Sequence, residues 1–157
     1  MAKIVRANTD ELIAEAKELF KEYAESLGFD LCFQKFDAEL ECFPVQYSPP
    51  SGDLSLALSE RQPIGCVGVR FLEEGICEMK RLYVKPNFRG SNAGKDLCEA
   101  AIQGGKILGY ERMRLDTLPS MEIANRLYKT LGFVEIEPYR HNPLEGAIYL
   151  ELNLTRL

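Results

Sequence analysis

Hydrophobic positions along the chain alternate between a period near two and a period near 3.6, and each switch predicts a new element. Lys3 to Ala7 reads as a short strand. Leu12, Ile13, Ala16, Leu19, Phe20, Tyr23, Ala24 and Leu27 then recur at three- and four-residue steps. That spacing predicts an amphipathic helix, capped by Asn8 or Thr9 and closed at Gly28. Asp10 and Glu11 suit its positive N-terminus. A shorter helix is expected over Asp37–Cys42, and Pro44, Pro49, Pro50 and Gly52 make 43–52 a loop. Leu54–Ser59, Ile64–Leu72 and Ile76–Val84 read as three strands joined by short turns, which is an antiparallel meander.

The pattern changes after Val84. Asn87 to Gly94 is a glycine-bearing loop, and Leu97, Ala100, Ala101, Gly104 and Leu108 follow at helical spacing up to Gly109. Met113–Thr117 is a strand again, so this unit predicts a parallel pair with a right-handed crossover. Ser120 is placed to cap a further helix through Ala124, Leu127, Tyr128 and Leu131, ending at Gly132. Phe133–Ile136 and Ala147–Leu154 read as a closing hairpin across a long loop. The expected fold is mixed α/β (α+β): a central twisted sheet of about seven strands with flanking helices, meander first and β-α-β crossover second. At 157 residues, 46% apolar and 27% charged, residues 1–157 are expected to form one domain.

Charge sharpens the picture. The net charge of −5 speaks against a nucleic-acid partner, whose affinity rests on Lys and Arg neutralising phosphates. Residues 1–79 carry 7 Lys/Arg against 15 Asp/Glu, a balance of −8, and residues 80–157 carry 12 against 9, a balance of +3. The stretch 80–95 holds Lys80, Arg81, Lys85, Arg89 and Lys95 with no acid. It reads as a solvated surface or as a positive seat for a small polyanion. No apolar run reaches membrane-span length, and the N-terminal residues lack the apolar core of a signal peptide, so a cytoplasmic protein without a membrane partner is expected. Five cysteines without a CxxC pair argue for buried free thiols and against a disulfide framework or a four-thiolate zinc site. One histidine, His141, leaves no multi-histidine metal site, and no metal is expected.

The stretch Arg89–Lys95 carries the clearest chemistry. A loop of small residues between a strand and a helix N-terminus presents backbone N–H groups and a helix dipole to an anion. Neither a Rossmann fingerprint nor a P-loop is present. The stretch from Glu78 to Lys95 resembles the core of the GNAT superfamily of acyl-CoA-dependent N-acyltransferases. Asn125-Arg126-Leu127-Tyr128-Lys129-Thr130-Leu131-Gly132-Phe133 likewise resembles that superfamily's helix with an asparagine, a tyrosine and a closing Gly-Phe, here spaced N-x-x-Y-x-x-x-G-F. One departure stands in the loop, where Asn92 occupies a usual glycine position; Asn tolerates a positive φ better than other side chains do.

The resemblance implies acetyl-CoA as cofactor and acyl donor, with CoA as product. It places the pantetheine arm along the edge of the fourth strand at Leu82, Tyr83 and Val84. It places the pyrophosphate on the amides of Arg89, Gly90, Ser91, Asn92, Ala93, Gly94 and Lys95, and a cofactor contact at Asn125. Tyr128 matches the tyrosine beside the thioester sulfur, a general acid for the leaving thiolate. From spacing alone Tyr128 is one member of an apolar helical stripe. Glu78 matches a position that carries a base in some members, for which a raised pKa would serve. Its other reading is an ion pair with Lys80 or Arg81. Strand alternation sets Glu78, Lys80, Leu82 and Val84 on one face and Met79, Arg81 and Tyr83 on the other.

The acceptor is less legible. Tyr47, Arg70, Arg81 and Asn142 are candidate substrate-binding residues, and Tyr139 and His141 share the last long loop with Asn142. His141 is expected to be exposed. The function expected from the resemblance is transfer of an acetyl group to a primary amine of a small molecule or amino acid, by direct attack in a ternary complex. A backbone N–H of the fourth strand would polarise the thioester carbonyl. Two alternatives are a protein or peptide N-acetyltransferase and a non-catalytic acyl-CoA-binding regulatory module. A homodimer is one assembly open to such a chain.

Overall fold

The computed structural model describes residues 2–27, 36–140 and 146–155. In chain order they form β1 (Lys3–Arg6), α1 (Asp10–Ser26), α2 (Phe36–Glu41), β2 (Asp53–Ser59), β3 (Gln62–Glu73), β4 (Ile76–Val84), α3 (Ala93–Ile107), β5 (Arg112–Thr117), α4 (Glu122–Leu131), β6 (Val134–Ile136) and β7 (Ile148–Asn153). One seven-stranded sheet runs β1-β2-β3-β4-β5-β7-β6. Only the β4–β5 pair is parallel, with α3 as its crossover. The other neighbours are antiparallel, including the β6–β7 hairpin.

Local chemistry accounts for most of the boundaries. Thr9 caps α1, its Oγ1 accepting from the Leu12 amide at 3.2 Å. Gly132, at φ +104°, closes α4 in the left-handed conformation that glycine adopts freely. Ser120 does not cap α4. The helix opens after Met121 with no side-chain cap, and Asn125 one turn in ties α4 back to β5: Thr117 Oγ1 donates to its Oδ1 at 2.8 Å and its Nδ2 donates to the Leu118 carbonyl at 2.9 Å.

The sheet is covered on both faces. One core joins Val67, Val69, Cys77, Met79 and Met113 to Leu97, Cys98 and Ala101 of α3 and Tyr128 of α4. The other joins Leu54, Leu56, Cys66 and Tyr83 to Ala16, Leu19 and Phe20 of α1, with Phe36 and Tyr47. Tyr47 is 2% exposed and stacks edge-on against Phe20, which corrects its reading as a substrate-binding residue. It lies directly over Gly68, where a Cβ would stand 2.5 Å from its ring.

Close packing at that point makes a prediction. Gly68→Ala forces a rigid buried ring to move and is expected to cost about 1–3 kcal/mol. Gly94→Ala, whose Cβ would meet only Val84 at 3.9 Å, is expected to leave stability nearly unchanged. Urea midpoints of the two variants check this, and equal midpoints would contradict it.

Candidate active site

The site begins with an irregularity in β4. Gly68 pairs with Lys80 and Cys66 with Tyr83, so β4 carries one residue more than β3 across this interval. The bulge centres on Arg81, whose φ is +60°. Among the described residues, Glu39, Phe36 and Cys66 hold it. The Arg81 guanidinium meets Glu39 of α2 through Nε at 3.2 Å and Nη2 at 3.1 Å, with both side chains 2% exposed. It stacks over Phe36 at 5.1 Å, and the Cys66 thiol donates to the Arg81 carbonyl at 3.3 Å. Arg81 is therefore a support of the strand, not a substrate-binding residue as expected.

The bulge also resets strand alternation. Cys77 and Met79 face α3, but so do Leu82 and Val84, while Glu78, Lys80 and Tyr83 face the α1 and α2 side. The predicted grouping of Glu78 and Lys80 with Leu82 and Val84 fails because one inserted residue inverts the parity. On the other edge, β4 and β5 pair only from Ile76↔Arg112 to Glu78↔Arg114. Beyond that point, among the described residues, β4 continues to Val84 and β5 to Thr117 with no pairing between them, so the sheet opens as a wedge with its apex at Glu78.

At the mouth of the wedge lies the loop before α3. Gly90 has φ +86° and Asn92 φ +67°, so Asn92 takes the left-handed conformation required where a glycine is usual. Asn92 makes no side-chain cap to α3. The predicted positive seat is divided by the fold. Lys80 and Arg81 are buried under the α2 side, Lys85 Nζ donates to Glu22 at 3.1 Å, and Lys95 lies 3.9 Å from Glu99. Arg89 Nε donates to the Val84 carbonyl at 3.1 Å. Only Arg89 and Lys95, both exposed, stand at the loop itself, and backbone dipoles rather than clustered charge dominate there.

Tyr128 is buried between the layers. Burial chiefly, with Cys98 of α3, Tyr23 of α1 and Asp116 of β5 adding to it, pushes its phenol well above the ordinary range and keeps it protonated. Leu82 and Val84 are half-buried; Tyr83 is buried, its hydroxyl donating to Glu22 at 2.6 Å.

Charged groups gather at the apex. Glu78 is fully buried. Its Oε1 takes Nε and Nη2 of Arg70 at 3.0 and 2.9 Å, and its Oε2 takes the Tyr139 hydroxyl at 2.7 Å and Nη2 of Arg140 at 2.6 Å. Burial alone would raise this carboxyl, but Lys80, Arg70 and Arg140 outweigh it and hold it down at about 2. The expected raised pKa is thus reversed. Of the ion-pair partners foreseen for it, Arg81 belongs to Glu39; Lys80 acts on Glu78 through charge, and the direct contacts come from Arg70 and Arg140. Burial pulls Lys80 down to about 8 despite Glu78 and Asp116, whose Oδ1 lies 3.7 Å away.

Arg140, Glu39 and Asp116 were not singled out by the sequence. The alternation of Arg112, Arg114 and Asp116 with Met113, Leu115 and Thr117 was a signal for the last, since it puts Asp116 on the polar face beside Glu78. Asn142, His141 and Cys32 lie outside the described residues.

Residues 12–133 match the Acetyltransferase (GNAT) family. The chain belongs to this family. An uncharacterised N-acetyltransferase of Schizosaccharomyces pombe is 44% identical over 142 residues, spanning 89% of this chain and 87% of that protein. A GNAT acetyltransferase from Staphylococcus aureus superposes with a TM-score of 0.78 at 20% identity, covering 98% of this chain and 99% of that one. The PaiA N-acetyltransferase of Thermoplasma acidophilum, solved in complex with coenzyme A, gives 0.68 at 18% identity over 98% and 99%. The mixed seven-stranded sheet with its flanking helices is thus the fold of the GNAT structures it superposes on. Among its described residues no helix is long and apolar enough to cross a membrane.

The depressed pKa of Glu78 predicts a pH effect on this GNAT domain. A carboxyl held at about 2, below its ordinary 4.5, adds stability that is complete above pH 4.5 and is lost as pH falls through 2. Urea midpoints measured across that window are expected to fall more steeply for the native chain than for Glu78→Gln. Parallel slopes would show that Glu78 is not held down.

Proposed function

We propose that the protein transfers the acetyl group of acetyl-CoA to a primary amine of a small molecule or amino acid, in a ternary complex. The observation that carries this reading is the wedge: an unpaired β4 edge running from the buried apex toward an uncapped helix N-terminus, with Tyr128 between the layers. These features fit the donor. The open edge at Leu82, Tyr83 and Val84 offers amide partners to a pantetheine chain, as in strand addition. Gly90, whose Cβ would meet nothing within 4 Å, and Gly94 leave space for phosphate oxygens to approach the amides from Arg89 to Lys95. Asn125 already uses both ends of its amide on Thr117 and Leu118, so its part is to fix the start of α4 beside the wedge.

Acetyl-CoA supplies an activated acyl group as a thioester. Tyr128, kept protonated by burial, is the proton donor for the departing thiolate. A backbone N–H of β4 near the bulge polarises the acyl oxygen. Glu78 does not serve as the base in this reading, because a carboxylate at about 2 engaged by two arginines has little proton affinity near neutrality. The amine proton leaves to water. Free thiols at Cys42, Cys66, Cys77 and Cys98 support a cytoplasmic setting.

Calorimetric titration with acetyl-CoA is expected to give micromolar affinity, about −8 kcal/mol. Tyr128→Phe is expected to lower kcat about a hundredfold with acetyl-CoA affinity retained. Unchanged turnover would remove the general-acid role, and absence of any binding would remove the proposed activity.

A further inference from the structure

The charged cluster at the apex is layered. Its acids lie beneath: Glu78 is 0% exposed, and the side chains of Glu39 and Asp116 are 2% and 6% exposed. The cations nearest solvent lie above, with the side chains of Arg70 and Arg140 at 18% and 22%. A ligand approaching this face meets guanidinium N–H groups before it meets a carboxylate.

These arginines retain hydrogen-bonding capacity. Arg140 spends Nη2 on Glu78, while its Nη1 stands 3.9 Å from Asp116, beyond hydrogen-bond reach. Arg70 Nη1 donates to Gln46, an exposed amide that can swing aside, and stands 3.8 Å from Glu39. Arg140 is also held in place before any ligand arrives. Tyr149 donates to its carbonyl at 2.9 Å, its guanidinium lies over the Tyr139 ring at 5.0 Å, and Glu78 anchors Nη2 from below. A fork fixed in this way receives a planar anion with little further loss of side-chain freedom.

We propose that the acceptor carries a carboxylate as well as its amine, as a free amino acid does, and that Arg140 with Arg70 receives that carboxylate. The proposal rests on the acetyltransferase reading above. Glu78 is then a positioning residue that orients both guanidinium groups. The same layering disfavours polyamines, whose charges would meet the arginines, and offers a neutral peptide amide hydrogen bonds without the charge pairing a carboxylate gains.

The test measures CoA thiol release with L-alanine, L-aspartate, L-glutamate and L-phenylalanine, each beside its α-carboxamide, and with spermidine and a C-terminally amidated lysine peptide. At least one amino acid is expected to exceed its amide in kcat/KM by about tenfold or more. Arg140→Gln is expected to bring that ratio close to one, and Arg140→Lys to leave it in between. A merely structural role for Arg140 would lower acid and amide together and keep the ratio. Equal use of acid and amide, preference for spermidine or the peptide, or a ratio unmoved by Arg140→Gln would overturn the proposal while leaving the transferase reading intact. Absence of thiol release with every amine would overturn both.

Discussion

The geometry of the site depends on the buried pairing of Arg81 with Glu39. A non-glycine residue at φ +60° costs roughly 1–2 kcal/mol against an ordinary strand conformation. It persists because the surroundings determine it. A two-point ion pair inside the second core, an aromatic face beneath the guanidinium and a thiol on the carbonyl all favour the one conformation. Removing one partner from such a pair typically costs about 3–5 kcal/mol, because the other charge is then left buried and alone. So α2, some forty residues before β4 in the chain, fixes the strand on which both halves of the site are built.

The bulge separates two kinds of recognition. On its C-terminal side β4 turns Leu82 and Val84 toward α3, and the strand runs on to a loop whose attraction for anions comes from backbone dipoles. On its N-terminal side β4 turns Glu78 and Lys80 toward α1 and α2, where charged side chains are paired. Dipoles suit the diphosphate of the proposed donor, which would be bound and released repeatedly, since no formal charge is trapped when it leaves. Paired arginines suit a small acid, since each guanidinium already has a carboxylate beneath it and is not stranded in the free enzyme.

The order of elements, the meander, the crossover and the glycine-bearing loop before α3 were all readable from the sequence, because each rests on local periodicity or on a glycine-bearing turn. Even Asn92 in the left-handed region followed from its own chemistry. What was not readable depended on long-range pairing. Arg81 looked like a surface cation in an acid-free stretch, and nothing local shows that Glu39 is waiting for it. Tyr47 sits in a proline-rich loop and was a candidate for the acceptor site, but Gly68 opens a slot in the sheet that takes its ring. The alternation rule failed across β4 for the same reason: a bulge is set by contacts with other elements, and one extra residue reverses every assignment after it.

Glu78 shows how the same burial can give opposite chemistry. Desolvation is the largest influence on its carboxyl and by itself would raise it, the direction a base needs. Two guanidinium groups and an ammonium reverse that outcome, and they arrive from β3, from β4 and from the segment after β6. A carboxylate in this state cannot accept a proton without losing contacts, to Arg70 at Oε1 or to Tyr139 and Arg140 at Oε2. Its stable role is to hold those groups in register. In the proposed reaction, proton removal from the amine falls to water, and the pH dependence of turnover is expected to follow the acceptor amine rather than the buried acid.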